Sequence, residues 1–288
     1  MTASDLFFMS LTVTSGSPAA NSLRLLAPRP PQRDRSLLVY FPGMDGTGSL
    51  LEPQIDRLAR CFDTRCLVLP TDPGDDWQTL TAQVINLLRR EIQTAAPRPI
   101  VLCGESFGGC LALAVARAAP QLCDRLILIN PATSFQERPY LKLVTAVVPW
   151  VPASTYEALA GLFLPLLFGD RPVEASASEA LLRAMQSVPP QTVYWRLQLL
   201  ENFCLPFLEL RRLQQPTLLI AGEADRLLPS ATEIGRLATA LPRARTVILP
   251  ASGHTCLLEA ETCLLAILRS QDFLFESAER LQKTGNMR

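Results

Sequence analysis

Histidine is almost missing from this chain: one residue, His254, stands among 288. With no Cys-x-x-Cys pair to join it, a structural or catalytic zinc site lacks its ligands, and no motif for any other metal or cofactor is present. Charge of one sign is missing too. Lys and Arg total 27, Asp and Glu total 27, and the basic residues are scattered, which excludes nucleic acid as a partner. There is neither the GK[ST] of a P-loop nor the G-x-G-x-x-G of a dinucleotide fold. The opening stretch "MTASDLFFMSLTV" carries an acid and no basic n-region, so it does not read as a secretory signal. Only one segment, residues 139–170, comes near a long uncharged apolar run, and Pro149, Pro152 and Pro165 break it into pieces too short for a membrane span.

Apolar residues are abundant instead, at 48% against 19% charged, and the length suffices for a sizeable core. The eight cysteines sit mostly inside apolar runs, where small hydrophobes belong, rather than at the spacings of a disulfide framework. A reducing, cytoplasmic compartment is the expectation, with the greasy 139–170 segment as the place for any membrane association.

Two short apolar stretches, Phe7–Val13 and Leu23–Ala27, read as an edge hairpin, followed by the Pro-rich connector "APRPPQRDR". A regular alternation then begins. "SLLVYFPG" (36–43), "TRCLVLP" (64–70), "PIVLCG" (99–104) and "DRLILINPA" (124–132) are continuous apolar runs, as strands buried on both faces would be. Between them lie helical patterns at 50–62, 75–95 and 110–119. From Thr133 to about Leu213 the rhythm stops and only apolar, helix-like segments follow. It resumes with "PTLLIAGEAD" (216–225), a helix near 230–241, "RTVILPASGH" (245–254) and a final helix over roughly 256–275. The polar tail "ERLQKTGNMR" is expected to fray. This order predicts an α/β fold over residues 1–288 as a single domain: a mostly parallel, doubly wound sheet with an α-helical cap inserted at about 133–213.

Chemistry enters at "CGESFGGC" (103–110), whose G-x-S-x-G core follows a buried strand and precedes a helix. A sharp strand-to-helix turn there would push Ser106 out as a nucleophile. Glycines at 104, 108 and 109 suit a turn where a Cβ would clash. Serine needs a general base, and the chain offers one histidine: His254 falls just past the last strand, where such a base belongs. The acid should lie between them in chain order. Asp225 closes the strand at 216–225 and would hold the imidazole in its working tautomer; Glu223, two residues earlier, is the alternative. An oxyanion hole should combine the N–H of Phe107 with one from the loop "FPGMDGTG", where Gly43 lets the backbone pass close and Met44 supplies the candidate donor. Asp45 reads as a turn-stabilising residue of that loop.

With these parts in place the sequence resembles the α/β-hydrolase superfamily. More narrowly, "FPGMDGTG", "GESFGGCLALAVA" and "LINPATSF" are similar to the hydrolase-like half of the plastid phytyl ester synthase / diacylglycerol acyltransferase family. The resemblance implies an α/β-hydrolase fold and transfer of acyl groups to phytol or diacylglycerol, from acyl-CoA, acyl carrier protein or galactolipid donors. It also implies a second acyltransferase chemistry built on H-x4-D. That motif does not occur here, because the single His254 is not followed by the required Asp, so transfer by this chain is expected to run through Ser106.

The expected reaction is two-step. His254 deprotonates Ser106, an acyl-enzyme forms from a lipid-like ester or thioester, and water or an alcohol then resolves it. Water is at ~55 M, so transfer requires a dry site or a well-held alcohol. Hydrolysis by a serine esterase or lipase is the first reading and acyl transfer the second. A non-catalytic binding protein on the same fold is the third, and the intact Ser-Asp-His set argues against it. The apolar 139–170 segment would supply a tunnel for an acyl or prenyl chain, or a face resting on a membrane.

Overall fold

The computed structural model describes residues 22–275. The Phe7–Val13 half of the expected hairpin and the tail at 279–288 lie outside the described residues. Seven strands form one sheet: β1 (Arg24–Leu26), β2 (Ser36–Phe41), β3 (Phe62–Val68), β4 (Ile100–Glu105), β5 (Arg125–Ile129), β6 (Thr217–Gly222) and β7 (Ala244–Leu249). Their order is β1-β3-β2-β4-β5-β6-β7. All neighbours are parallel except β1, which pairs antiparallel with β3, Leu25 facing Leu67.

Continuous apolar strands arise because both faces are covered. Along β2, Leu37, Val39 and Phe41 enter one core, while Leu38 and Tyr40 enter the other. β5 divides the same way, Leu126 and Leu128 against Ile127 and Ile129. Helices α1 (Glu52–Leu58), α2 (Trp77–Gln93) and α3 (Phe107–Ala118) follow β2, β3 and β4. Asp76 caps α2, its carboxylate accepting the Thr79 N–H at 2.7 Å.

Between β5 and β6 the chain forms a helical insertion. It starts with a 3-10 segment at Ala132–Glu137 and continues through α4 (Pro139–Val147), α5 (Ala153–Leu159), α6 (Leu164–Leu167), α7 (Ala175–Gln186), α8 (Pro190–Glu201) and α9 (Phe207–Leu210). Helices α10 (Ser230–Ala240) and α11 (Leu264–Ser270) complete the α/β layers. The chain passes from β2 to β3 on one side and back to β4 on the other. The strand order therefore reverses between β2 and β4, the position at which open α/β sheets generally hold their ligands.

Two expectations are corrected. The helix placed at 110–119 begins at Phe107, so Gly108 and Gly109 belong to its first turn. A Cβ on Gly108 would stand 2.1 Å from the Phe41 carbonyl oxygen, so only glycine lets α3 start this close to β2. The helix expected at 256–275 is broken into a 3-10 turn at Cys256–Leu258 and α11. The cause is tertiary: buried Gln54, on α1, donates to the Leu257 and Thr262 carbonyls and accepts the Leu264 N–H, replacing the helical bonds of that stretch.

Candidate active site

Ser106 sits between β4 and α3 at φ 53°, ψ −116°, a conformation that L-residues rarely adopt. Three backbone bonds hold it there. Its N–H donates to Ile129 O (3.0 Å), and its carbonyl accepts from Gly109 (3.0 Å) and Ala132 (3.1 Å). The strained turn aims Oγ away from the sheet, and His254 Nε2 lies 2.9 Å from it. His254 Nδ1 is 2.8 Å from Asp225 Oδ2. Three residues that lie 119 and 29 positions apart in the sequence thus form one hydrogen-bonded run, with Asp225 and His254 both buried.

Asp225 is heavily engaged. Oδ1 accepts the Leu227 (2.9 Å) and Leu228 (3.0 Å) N–H groups, and Oδ2 also accepts the Ser230 hydroxyl. Burial raises its pKa, but His254 and the hydrogen bonds from Ser230 and Leu228 outweigh that and hold the carboxyl below its ordinary value. For His254, burial lowers the pKa. The Asp225 carboxylate, by charge and by hydrogen bond, together with Glu105, more than reverses this and leaves it raised. Glu223, the alternative acid, is exposed, and its N–H serves the sheet by bonding Leu249 O.

Phe107 is the residue after the serine, and Met44 follows Gly43 in the neighbouring loop. Phe107 opens α3, and among the described residues neither its N–H nor that of Met44 has a hydrogen-bond partner within the chain. Gly43 passes close: a Cβ built on it would lie 3.7 Å from Ser106 Cβ, ordinary contact, so nearness rather than steric need is what this glycine shows. Asp45 turns the loop, its carboxylate accepting the Thr47 N–H at 2.9 Å as well as the Thr47 hydroxyl.

Four further residues shape the site without any signal in the G-x-S-x-G pattern. Asn130, buried and at φ 42°, donates to the Gly253 (3.1 Å) and His254 (2.7 Å) carbonyls and accepts the Gly222 N–H (2.8 Å). It ties the ends of β5 and β6 to the histidine loop. Its place in "LINPATSF" was its one visible mark. Buried Glu259 accepts the Gly253 N–H at 2.8 Å from the other side. Glu105, next to Ser106, accepts the Tyr40 hydroxyl. Burial pushes its pKa to about 7, against the Tyr40 hydrogen bond and the charge of His254, which lower it. Arg196, from α8, touches the Met44 loop.

A groove of about 740 Å³ runs between the Thr47–Arg57 segment, α7 and the Leu258–Thr262 turn. Ser106, Asp225 and His254 do not line it.

The sequence pattern of the Alpha/beta hydrolase family matches residues 18–263. The chain belongs to that family. It is 31% identical to phytyl ester synthase 1, chloroplastic, of Arabidopsis thaliana over 264 residues, covering 83% of this chain and 37% of that protein. It thus spans little more than a third of that relative's length. It is 33% identical to a pimeloyl-[acyl-carrier protein] methyl ester esterase of Aromatoleum aromaticum over 189 residues, 59% of this chain and 73% of that one. The solved structure of MenH from S. aureus superposes with a TM-score of 0.70 at 18% identity, over 87% of this chain and 98% of its own, a likeness of fold.

Proposed function

We propose that this chain is a serine acyl hydrolase acting on lipid-like esters or thioesters, with Ser106 as nucleophile, His254 as general base and Asp225 as its orienting acid. The observation that carries this reading is the continuous hydrogen-bonded run from Ser106 Oγ through His254 to Asp225. In the first step His254 Nε2 takes the hydroxyl proton as Oγ attacks the acyl carbonyl. The tetrahedral oxyanion is held by the Met44 and Phe107 N–H groups, the leaving alcohol or thiol collects the proton, and an acyl-enzyme remains. Water, deprotonated by the same imidazole, adds to the acyl carbon; the acyl–Oγ bond then breaks, Oγ takes the proton back from His254, and the free acid leaves. In this reading residues 1–288 act as one catalytic unit, and the 133–213 insertion is its cap.

Transfer to a long-chain alcohol is the second reading, favoured by the similarity to a phytyl ester synthase. The two separate on the product. With a p-nitrophenyl or acyl-thioester donor, hydrolysis gives free acid at a rate independent of added phytol. Growth of phytyl ester at the expense of free acid as phytol is raised would establish transfer instead.

The lipid character is supported by the outer face of the insertion. Tyr140, Leu143, Val147 and Trp150 recur at spacings of three and four along α4 and the 3-10 turn after it, while Leu141, Thr145 and Val148 face inward. Trp150 is 85% exposed and Leu143 66%. The one charge between residues 139 and 156 is Lys142. Such a stripe fits a lipid surface, with aromatic rings at the head-group level and a cation to meet anionic lipid. Among the described residues no helix is long and apolar enough to cross a membrane. Wild type is expected to float with vesicles containing phosphatidylglycerol. A Leu143→Asp/Trp150→Asp variant should lose at least about tenfold in vesicle affinity while keeping its turnover of a water-soluble ester. Equal flotation of both would reject the face.

A further inference from the structure

Arg196 is wholly buried, yet its guanidinium meets backbone carbonyls rather than a carboxylate. Nη1 donates to Met44 O at 2.5 Å and Nη2 to Pro70 O at 2.9 Å. Nε has no hydrogen-bond partner among the described residues. Burial pulls the pKa down to about 10, with Asp45 and Tyr156 acting in the opposite sense, so the side chain is a cation at neutral pH. A buried cation compensated by two carbonyls is an expensive way to pin a helix to a loop; an apolar side chain would fasten it at lower desolvation cost. What the arginine supplies that a leucine cannot is a directed hold on a particular peptide, the one that carries the Met44 carbonyl.

The surroundings are built to that hold. Gly46 lies at φ 68°, and a Cβ there would stand 2.6 Å from both Nη atoms, so the turn after Met44 is shaped around the guanidinium. Further side-chain bonds fasten α8 to the loop between β3 and α2. Thr192 donates to Thr71 O, and Trp195 Nε1 donates to Asp75 O at 2.7 Å. From the other direction Trp77 Nε1 donates to Leu199 O at 2.5 Å, and the Trp77 ring stacks on Phe107 with centroids 5.1 Å apart. One helix of the insertion thereby reaches both candidate oxyanion donors, Met44 through Arg196 and Phe107 through Trp77.

We infer that Arg196 is a positioning residue of the oxyanion hole: from the insertion it fixes the Met44 loop so that the Met44 N–H faces the oxygen on which charge develops during acyl transfer to Ser106. This rests on the reading of Ser106 as nucleophile. Donors of this kind act by being already aimed, so loosening one should slow the chemical step more than substrate capture.

The test compares wild type, Arg196→Met, Arg196→Lys and Arg196→Ala in the full chain. It measures kcat and KM for a p-nitrophenyl ester, the rate of Ser106 labelling by a fluorophosphonate, and the melting temperature. Arg196→Met is expected to lose about 10- to 100-fold in kcat and in labelling rate, with KM within about threefold. Arg196→Lys, which keeps the charge but can hold one carbonyl well, should fall between. Guanidinium chloride at tens of millimolar should restore part of the Arg196→Ala rate where ammonium chloride does not. A folded Arg196→Met with wild-type kcat, or a loss confined to KM, overturns the inference. Should Arg196→Met fail to fold, absence of guanidinium-specific rescue in Arg196→Ala overturns it equally. A wild type that is never labelled at Ser106 overturns the acyl-hydrolase reading itself, a result distinct from either.

Discussion

Ser106→Ala is expected to remove all fluorophosphonate labelling and to lower ester turnover by about 10⁴- to 10⁶-fold while leaving the fold intact. The size follows from what the hydroxyl does: without Oγ no acyl-enzyme forms, and His254 loses the group 2.9 Å away on which it acts. What survives would come from Met44 and Phe107 polarising a carbonyl toward direct attack by water. The fold should tolerate the change because all three bonds fixing residue 106 belong to its backbone. A sharper version uses the strain. At φ 53° a Cβ is disfavoured whether it carries a hydroxyl or not, so Ser106→Ala melts near wild type. Ser106→Gly should be just as inactive but more stable, by roughly 1 kcal/mol, because glycine accepts that conformation. Inactivity with raised stability is the signature of a residue kept for chemistry at structural cost. Mass spectrometry of the labelled protein, paired with melting curves, checks both halves. Labelling that persists in Ser106→Ala would move the nucleophile elsewhere and refute the site.

How much of this could be read in the sequence depends on how local the cause is. The strands were legible because two covered faces demand unbroken apolar runs, and β2, β4, β5 and β6 supply them. The hydrogen-bonded set of Ser106, His254 and Asp225 was legible because the chain has one histidine and the order Ser, Asp, His leaves few candidates. Local pattern failed where a distant residue decides. The stretch at 256–263 has a plausible helical composition, but Gln54, some two hundred positions upstream, takes over its hydrogen bonds. The sequence pattern starts α3 three residues late, because glycines usually weaken helices. Here Gly108 is in the helix because Phe41 O leaves no room for anything larger. Among the described residues the Leu23–Ala27 stretch contributes β1, and nothing local marks β3, some forty positions on, as its partner. Asn130 and Arg196 look like unremarkable polar residues until their contacts, 123 to 152 positions away, are seen.

Asp225→Asn should cost about 10³- to 10⁴-fold in kcat, and the structure says why an isosteric change is so severe. The Leu227 and Leu228 N–H groups can only donate, so the amide oxygen must take the Oδ1 position. That turns the NH2 toward His254 Nδ1 and the Ser230 hydroxyl. Nδ1 must then accept, the ring proton moves to Nε2, and the nitrogen beside Ser106 can no longer take a proton. Glu223→Gln, on an exposed side chain, should change the rate less than about twofold, which separates the two candidate acids. The pH profile carries an independent sign. With His254 as the proposed base, wild-type activity is expected to fall as pH drops through a pKa held above the ordinary histidine value, and removing the carboxylate should shift that acidic limb to lower pH. Glu105 also titrates, at about 7, so the same comparison in a Glu105→Gln background isolates the histidine. Stability moves with the same charges. A raised His254 pKa contributes stability present below the unfolded value near 6.5 and lost as pH rises through the folded one. The lowered Asp225 pKa contributes stability present above the ordinary carboxylate range and lost as pH falls through its folded value. The gap in melting temperature between wild type and Asp225→Asn should therefore be wider at pH 5.5 than at pH 8.5. A gap that widened toward alkaline pH would mean that the imidazole and this carboxylate are not coupled in solution.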